Sequence, residues 1–141
     1  MVFLFQIQAR QSAAQSFADY QAIALQKITG ACLEGGAKAP KRIELDPSTK
    51  IVDANILGFS IQKDTYSALK FYVSPFKSDL HHGPHTVAVK TYQALLKLAE
   101  TPGFEKYKPV GVSQKGIDGP NGKTEAVVFT IYFQPGVIQK Q

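Results

Sequence analysis

Apolar and polar positions alternate over residues 2–8, with Phe3, Phe5 and Ile7 on one side of an extended chain and Leu4, Gln6 and Gln8 on the other, so a strand is expected there. The period then changes. Ala13, Phe17, Tyr20, Ala24, Ile28 and Ala31 fall on one stripe of a helix. Ser12, three residues before Gln15, offers a capping box at its start, and Gly30 or the Gly35-Gly36 pair offers the stop. Ile43 and Leu45 suggest a short strand, followed by turn chemistry in Asp46-Pro47-Ser48. Residues 51–62 read as a longer strand with Leu57, Phe59 and Ile61 inward. Residues 67–74 alternate again, Leu69, Phe71 and Val73 against Ala68, Lys70 and Tyr72, and the polar turn between these two segments predicts that they pair as a hairpin.

A second helix is expected from about His85 to Glu100, with Val87, Thr91, Ala94, Leu95 and Leu98 inward, Lys90, Gln93, Lys97 and Glu100 outward, and Pro102-Gly103 as its end. Val110 and Val112 mark a further strand, and Val127, Phe129, Ile131 and Phe133 mark the last. Between them Gly116 to Gly122 is rich in turn residues and predicts a long mobile loop, while the tail from about 135 is expected to fray. Both helices need an apolar surface to cover and most strand connections are short. The pattern therefore predicts an α+β fold: a single, mainly antiparallel sheet with two amphipathic helices packed on one face.

A length of 141 residues suits one domain spanning 1–141. The single cysteine, Cys32, excludes an internal disulfide and a cysteine-rich zinc site, and reads as an inert, partly buried thiol. The apolar run over residues 1–7 is too short for a signal peptide or a membrane span, so the expected location is a cytosol, that of a host cell included. A net charge of +5 permits a polyanionic partner, but the cations are scattered, with no run longer than Lys41-Arg42.

Candidate chemistry is sparse. His81, His82 and His85 form one cluster, yet Gly83-Pro84 argues against a continuous helix carrying a histidine pair, and only Asp79 is near in sequence, so no metal is expected. Gly83, His85 and Thr86 are the candidate anion site, because free amides gather at a helix start. Gly116 to Gly122 lacks the Gly-Lys-Ser/Thr ending of a phosphate loop, and Lys123-Thr124 precedes a strand. Neither Ser60 nor Ser113 lies in a nucleophile elbow, and Asp46, Asp53, Asp64, Asp79 and Asp118 are separated in or beside turns. These residues propose no cofactor, no catalytic group and no enzyme.

Two readings of the sheet remain. Lys70, Tyr72, Thr130 and Tyr132 would share the side away from Leu69 and Phe129, a stacking platform for single-stranded nucleic acid. The stretch Lys70 to Phe76 loosely resembles the second signature of the RNA-recognition motif, without its glycines and with Pro75 inside it. From Ser12 onward, the order helix, strand, strand, helix, strand, long loop, strand resembles the small tail-terminator and tail-completion proteins of tailed bacteriophages. That resemblance implies a non-enzymatic viral assembly protein that forms a homo-oligomeric ring or lattice through sheet edges and loops. Gly116, Asp118, Gly119, Asn121 and Gly122 would be its assembly loop. Other virion proteins are then further partners, nucleic acid is the alternative partner, and no membrane contact is expected.

Overall fold

Ser16 opens the first helix. In the computed structural model, which describes residues 16–50, 56–57, 65–74 and 82–140, helix α1 runs Phe17–Glu34. The Ser16 hydroxyl accepts the Asp19 amide at 3.1 Å, and the Asp19 carboxylate accepts the Ser16 amide at 3.4 Å. This reciprocal cap satisfies two amides that the helix leaves unpaired. The expected cap, Ser12 with Gln15, lies outside the described residues, as does the strand expected over residues 2–8. Gly30 does not stop the helix; Gly35 is its C-cap, and Cys32 lies within its last turn, fully buried.

Strands β1 (Arg42–Thr49), β2 (Ile56–Leu57), β3 (Tyr66–Val73), β4 (Gly111–Asp118) and β5 (Thr124–Phe133) form one antiparallel sheet in the order β1-β3-β5-β4-β2. Helix α2 (His82–Leu98) lies between β3 and β4 in sequence, followed by a short 3-10 turn at Glu105–Tyr107. The α+β class and the helices packed on one face of a single sheet are as the residue pattern predicts.

Three local expectations are corrected. Ile56 and Leu57, the described part of the strand expected over 51–62, do not pair with 67–74 as a hairpin: they pair with Ser113 and Val112 of β4, while β3 lies between β1 and β5. The rest of that expected strand lies outside the described residues. Sequence adjacency is outweighed by the need of β3, apolar on both sides, for a central place. Asp46-Pro47-Ser48 does not end its strand. It forms an irregularity inside β1, where the Ser48 amide donates to Asp46 Oδ1 at 3.0 Å and the register shifts between Asp46 and Thr49. The chain after Phe133 does not fray at once. Pro135 and Gly136, the latter at φ +85°, make a turn closed by Val137 N to Gln134 O at 3.2 Å. That turn puts Ile138 into the core, where its amide donates to Ser67 Oγ at 3.0 Å, and the same hydroxyl donates to Gln134 O at 2.7 Å.

The core lies between the helices and one side of the sheet. Tyr20, Ala24 and Ile28 from α1 and Val87 and Leu95 from α2 meet Leu69, Phe71, Phe129, Ile131 and Phe133. Leu98 is buried as its stripe predicts, and Phe17 packs partly buried against the cluster. Phe104 and Tyr107, from the connector after α2, complete it. Tyr20 and Tyr107 stack with centroids 4.2 Å apart, and Phe133 meets Tyr20 edge-on at 6.4 Å.

Burial, and secondarily the neighbouring Tyr107, pushes the Tyr20 phenol well above its ordinary range, and its hydroxyl has no hydrogen-bond partner among the described residues. The unfolded chain loses this proton near pH 10 while the folded chain keeps it. Stability contributed by the protonated phenol is therefore complete below about pH 10 and declines above it. Tyr20→Phe is expected to make denaturant midpoints fall less steeply above that pH. It should also raise stability at neutral pH by about 1 kcal/mol, since an unsatisfied buried hydroxyl is removed.

Candidate functional site

Among the described residues, the hairpin of β4 and β5 reaches past the other strands of the sheet. Pairing of β3 with β5 ends at Val73 opposite Val127, level with Gly116 of β4. Beyond that row β4 and β5 continue as a two-stranded ribbon through Ile117 opposite Ala126 and Asp118 opposite Thr124. Lys115, Gly116, Asp118 and the stretch 120–125 are exposed.

The tip is a built turn, shorter than the mobile loop expected over Gly116 to Gly122. Gly116 and Asp118 belong to β4, and only Gly119, Asn121 and Gly122 of the five expected assembly residues lie in the turn. Pro120 occupies the second place, where its fixed φ suits a type I turn. The Gly122 amide returns to Gly119 O at 3.0 Å with Gly122 at φ +81°. Gly119 N donates to Lys123 O at 2.7 Å, and Asn121 Oδ1 accepts the Lys123 amide at 3.3 Å. Glu125, on the ribbon itself, did not stand out in the sequence, because a lone carboxylate beside a turn carries no pattern of its own.

Strand β1 forms one edge of the sheet. Its Pro47 and the irregularity beside it confine regular pairing to the stretch Arg42–Asp46, which limits unspecific addition of another strand.

The four residues of the expected nucleic-acid platform share one side of the sheet, as their alternation implies, but do not form an open surface. Tyr132 is 2 % exposed, with its hydroxyl 3.0 Å from Ser113 Oγ and its ring edge-on to Tyr66 at 5.8 Å. Thr130 is buried. The Arg42 guanidinium lies 3.9 Å from the Tyr72 ring centre. Lys70 Nζ lies 3.2 Å from Asp46 Oδ2 on the adjoining strand. Strand alternation reports which side a residue takes, and cannot report that the second side is also covered at its Tyr66–Tyr132 end.

The histidine cluster also differs from expectation. Helix α2 begins at His82, with Pro84 in its first turn, where the missing amide leaves no hydrogen bond unmade. His81 lies outside the described residues. His85 is exposed, Thr86 is half-buried, and Gly83 packs against the C-cap of α1 through its carbonyl. Among the described residues, no group of three or more His, Cys, Asp or Glu side chains could hold a metal ion. Burial pushes the Cys32 thiol up to about 11, so little thiolate is present at neutral pH. No helix among the described residues is long and apolar enough to cross a membrane. Compared with protein-family models, with curated proteins and with solved structures, the chain has no match.

Proposed function

We propose that this chain is a non-enzymatic structural protein of a phage-like virion, which assembles into a ring or lattice when the β4–β5 arm of one copy reaches onto the next. The observation that carries this reading is the arm. A ribbon that continues as two strands, with no third strand paired to it among the described residues, is marginal in water, and it gains most when a neighbouring surface covers it. A tip fixed by Pro120 and by its own hydrogen bonds loses little freedom on docking, which favours binding over a floppy loop. The order α1, paired strands β1 and β3, α2, final hairpin also supports the likeness to small phage tail proteins, with β2, between β1 and β3 in the chain and paired with β4, as an addition to it. The unkinked stretch of the β1 edge is the matching surface for a head-to-tail contact, the kind that closes into rings.

The test is the mass of the purified protein in solution by sedimentation equilibrium. The intact chain is expected as a closed multimer. A variant with residues 119–123 replaced by Asn-Gly should be a folded monomer of nearly unchanged melting temperature, because a tight two-residue turn can join the same strands. A monomeric intact protein would refute the proposal.

A further inference from the structure

Helices α1 and α2 lie side by side and antiparallel: Glu34 at the end of α1 reaches Lys90 of α2 at 3.9 Å, and Gly35 packs on the first turn of α2. Away from the sheet they leave a groove of about 380 Å³. Lys27, Lys90 and Lys97 stand around it with Glu34 as the one acid, and Gly30, Ala31 and Ala94 line it between them. The surface is cationic, in a chain whose net charge is +5.

Gly30 is the unexplained residue. It lies inside α1, where glycine weakens a helix relative to alanine. A Cβ placed on it would meet no atom within 4 Å, so nothing in the described chain requires its absence. What glycine provides is bare backbone, which lets another chain approach closely. Small residues along the bottom and long cations at the rim match an amphipathic helix laid into a groove, with carboxylates along its edges. A second copy carries the same positive charge and is the poorer occupant. Nucleic acid would need aromatic stacking as well as cations, and among the described residues the lining contains no aromatic side chain.

We propose that the α1–α2 groove docks an acidic helical segment of a different protein, seated over Gly30 with its carboxylates reaching Lys27, Lys90 and Lys97. This site stands whether or not the chain assembles with itself. The experiment uses the full chain and a fluorescent helical peptide of about 16 residues, built from Glu, Ala and Leu and long enough to hold a helix. Binding is read by anisotropy, alongside the melting temperature of each variant. Saturable binding is expected, weakened at least about tenfold by Gly30→Leu, which fills the groove, and by Lys97→Glu. Lys140→Glu makes the same change in net charge at an exposed position outside the groove lining, and should weaken binding less than about twofold. Absence of saturable binding would overturn the proposal. So would unchanged affinity in folded Gly30→Leu, or equal losses in Lys97→Glu and Lys140→Glu. An oligonucleotide of equal charge that binds more tightly than the peptide, and loses that binding in Gly30→Leu, would assign the groove to phosphate backbones instead.

Discussion

Phe129→Ala is expected to destabilise the protein by about 3–5 kcal/mol, as removal of a fully buried aromatic ring from a close-packed interior does. Phe129 is wholly inaccessible, on β5, the strand that joins β3 to β4. Its ring stacks on that of Phe71, directly opposite in the register, with centroids 5.0 Å apart and planes 13° from parallel. Alanine removes the apolar burial and leaves a void bordered by strands that cannot close without losing their pairing. Chemical denaturation should show a large fall in midpoint at constant slope, and melting should drop by roughly 10 °C. The Phe71→Ala and Phe129→Ala losses should not add, because one stacked contact of about 0.5–1.5 kcal/mol belongs to both rings. A loss below about 1 kcal/mol would mean that the helices do not cover this side of the sheet.

Gly35→Ala is expected to cost about 1–3 kcal/mol by overpacking. Its backbone, at φ −82°, suits any residue, so the cost comes from space alone. An added Cβ would lie 2.5 Å from Val87 Cγ2 and 3.0 Å from the Gly83 carbonyl oxygen, so α1 and α2 would have to part where they approach closely. Trimming the obstacle should relieve part of the strain. In a Val87→Ala background the further cost of Gly35→Ala should be clearly smaller than in the intact protein, a coupling measurable by a double-mutant cycle. Equal costs in both backgrounds would place the crowding elsewhere.

The helix stripes and the inward sets of β3 and β5 were legible in the sequence because each repeats a short period that burial on one side imposes. Tyr20, Ala24 and Ile28, and likewise Leu69 and Phe71, lie where that period puts them. Strand pairing was not legible in this way. Ile56 and Leu57 carry no mark that sends them to β4 across the width of the sheet, since register is decided by contacts far apart in sequence. Proline and glycine act here as more than interruptions. Pro47 lies within a strand, Pro84 within the first turn of a helix, and Pro135-Gly136 turns Ile138 inward instead of releasing it. Of the candidate sites, the turn at Gly119–Gly122 was visible through its residues, whereas the length of the arm depends on where β3 stops. The groove over Gly30 is visible only once two helices distant in sequence lie together.

The position of β5 has a consequence for the order in which the protein can be made. It lies between β3 and β4, yet it leaves the ribosome only after residues 74–123 have followed β3 out. Until then β3 can pair with β1, but its other edge, with Leu69, Phe71 and Val73 on its apolar side, waits for a partner. The β4–β5 pair closes over a short turn and forms quickly, so the slow step is docking that finished hairpin against β3, a contact of long sequence separation. A nascent chain stalled between Leu98 and Thr124 therefore holds both helices and a strand pair but no closed interior, the kind of intermediate that chaperones bind and that aggregates when they are scarce.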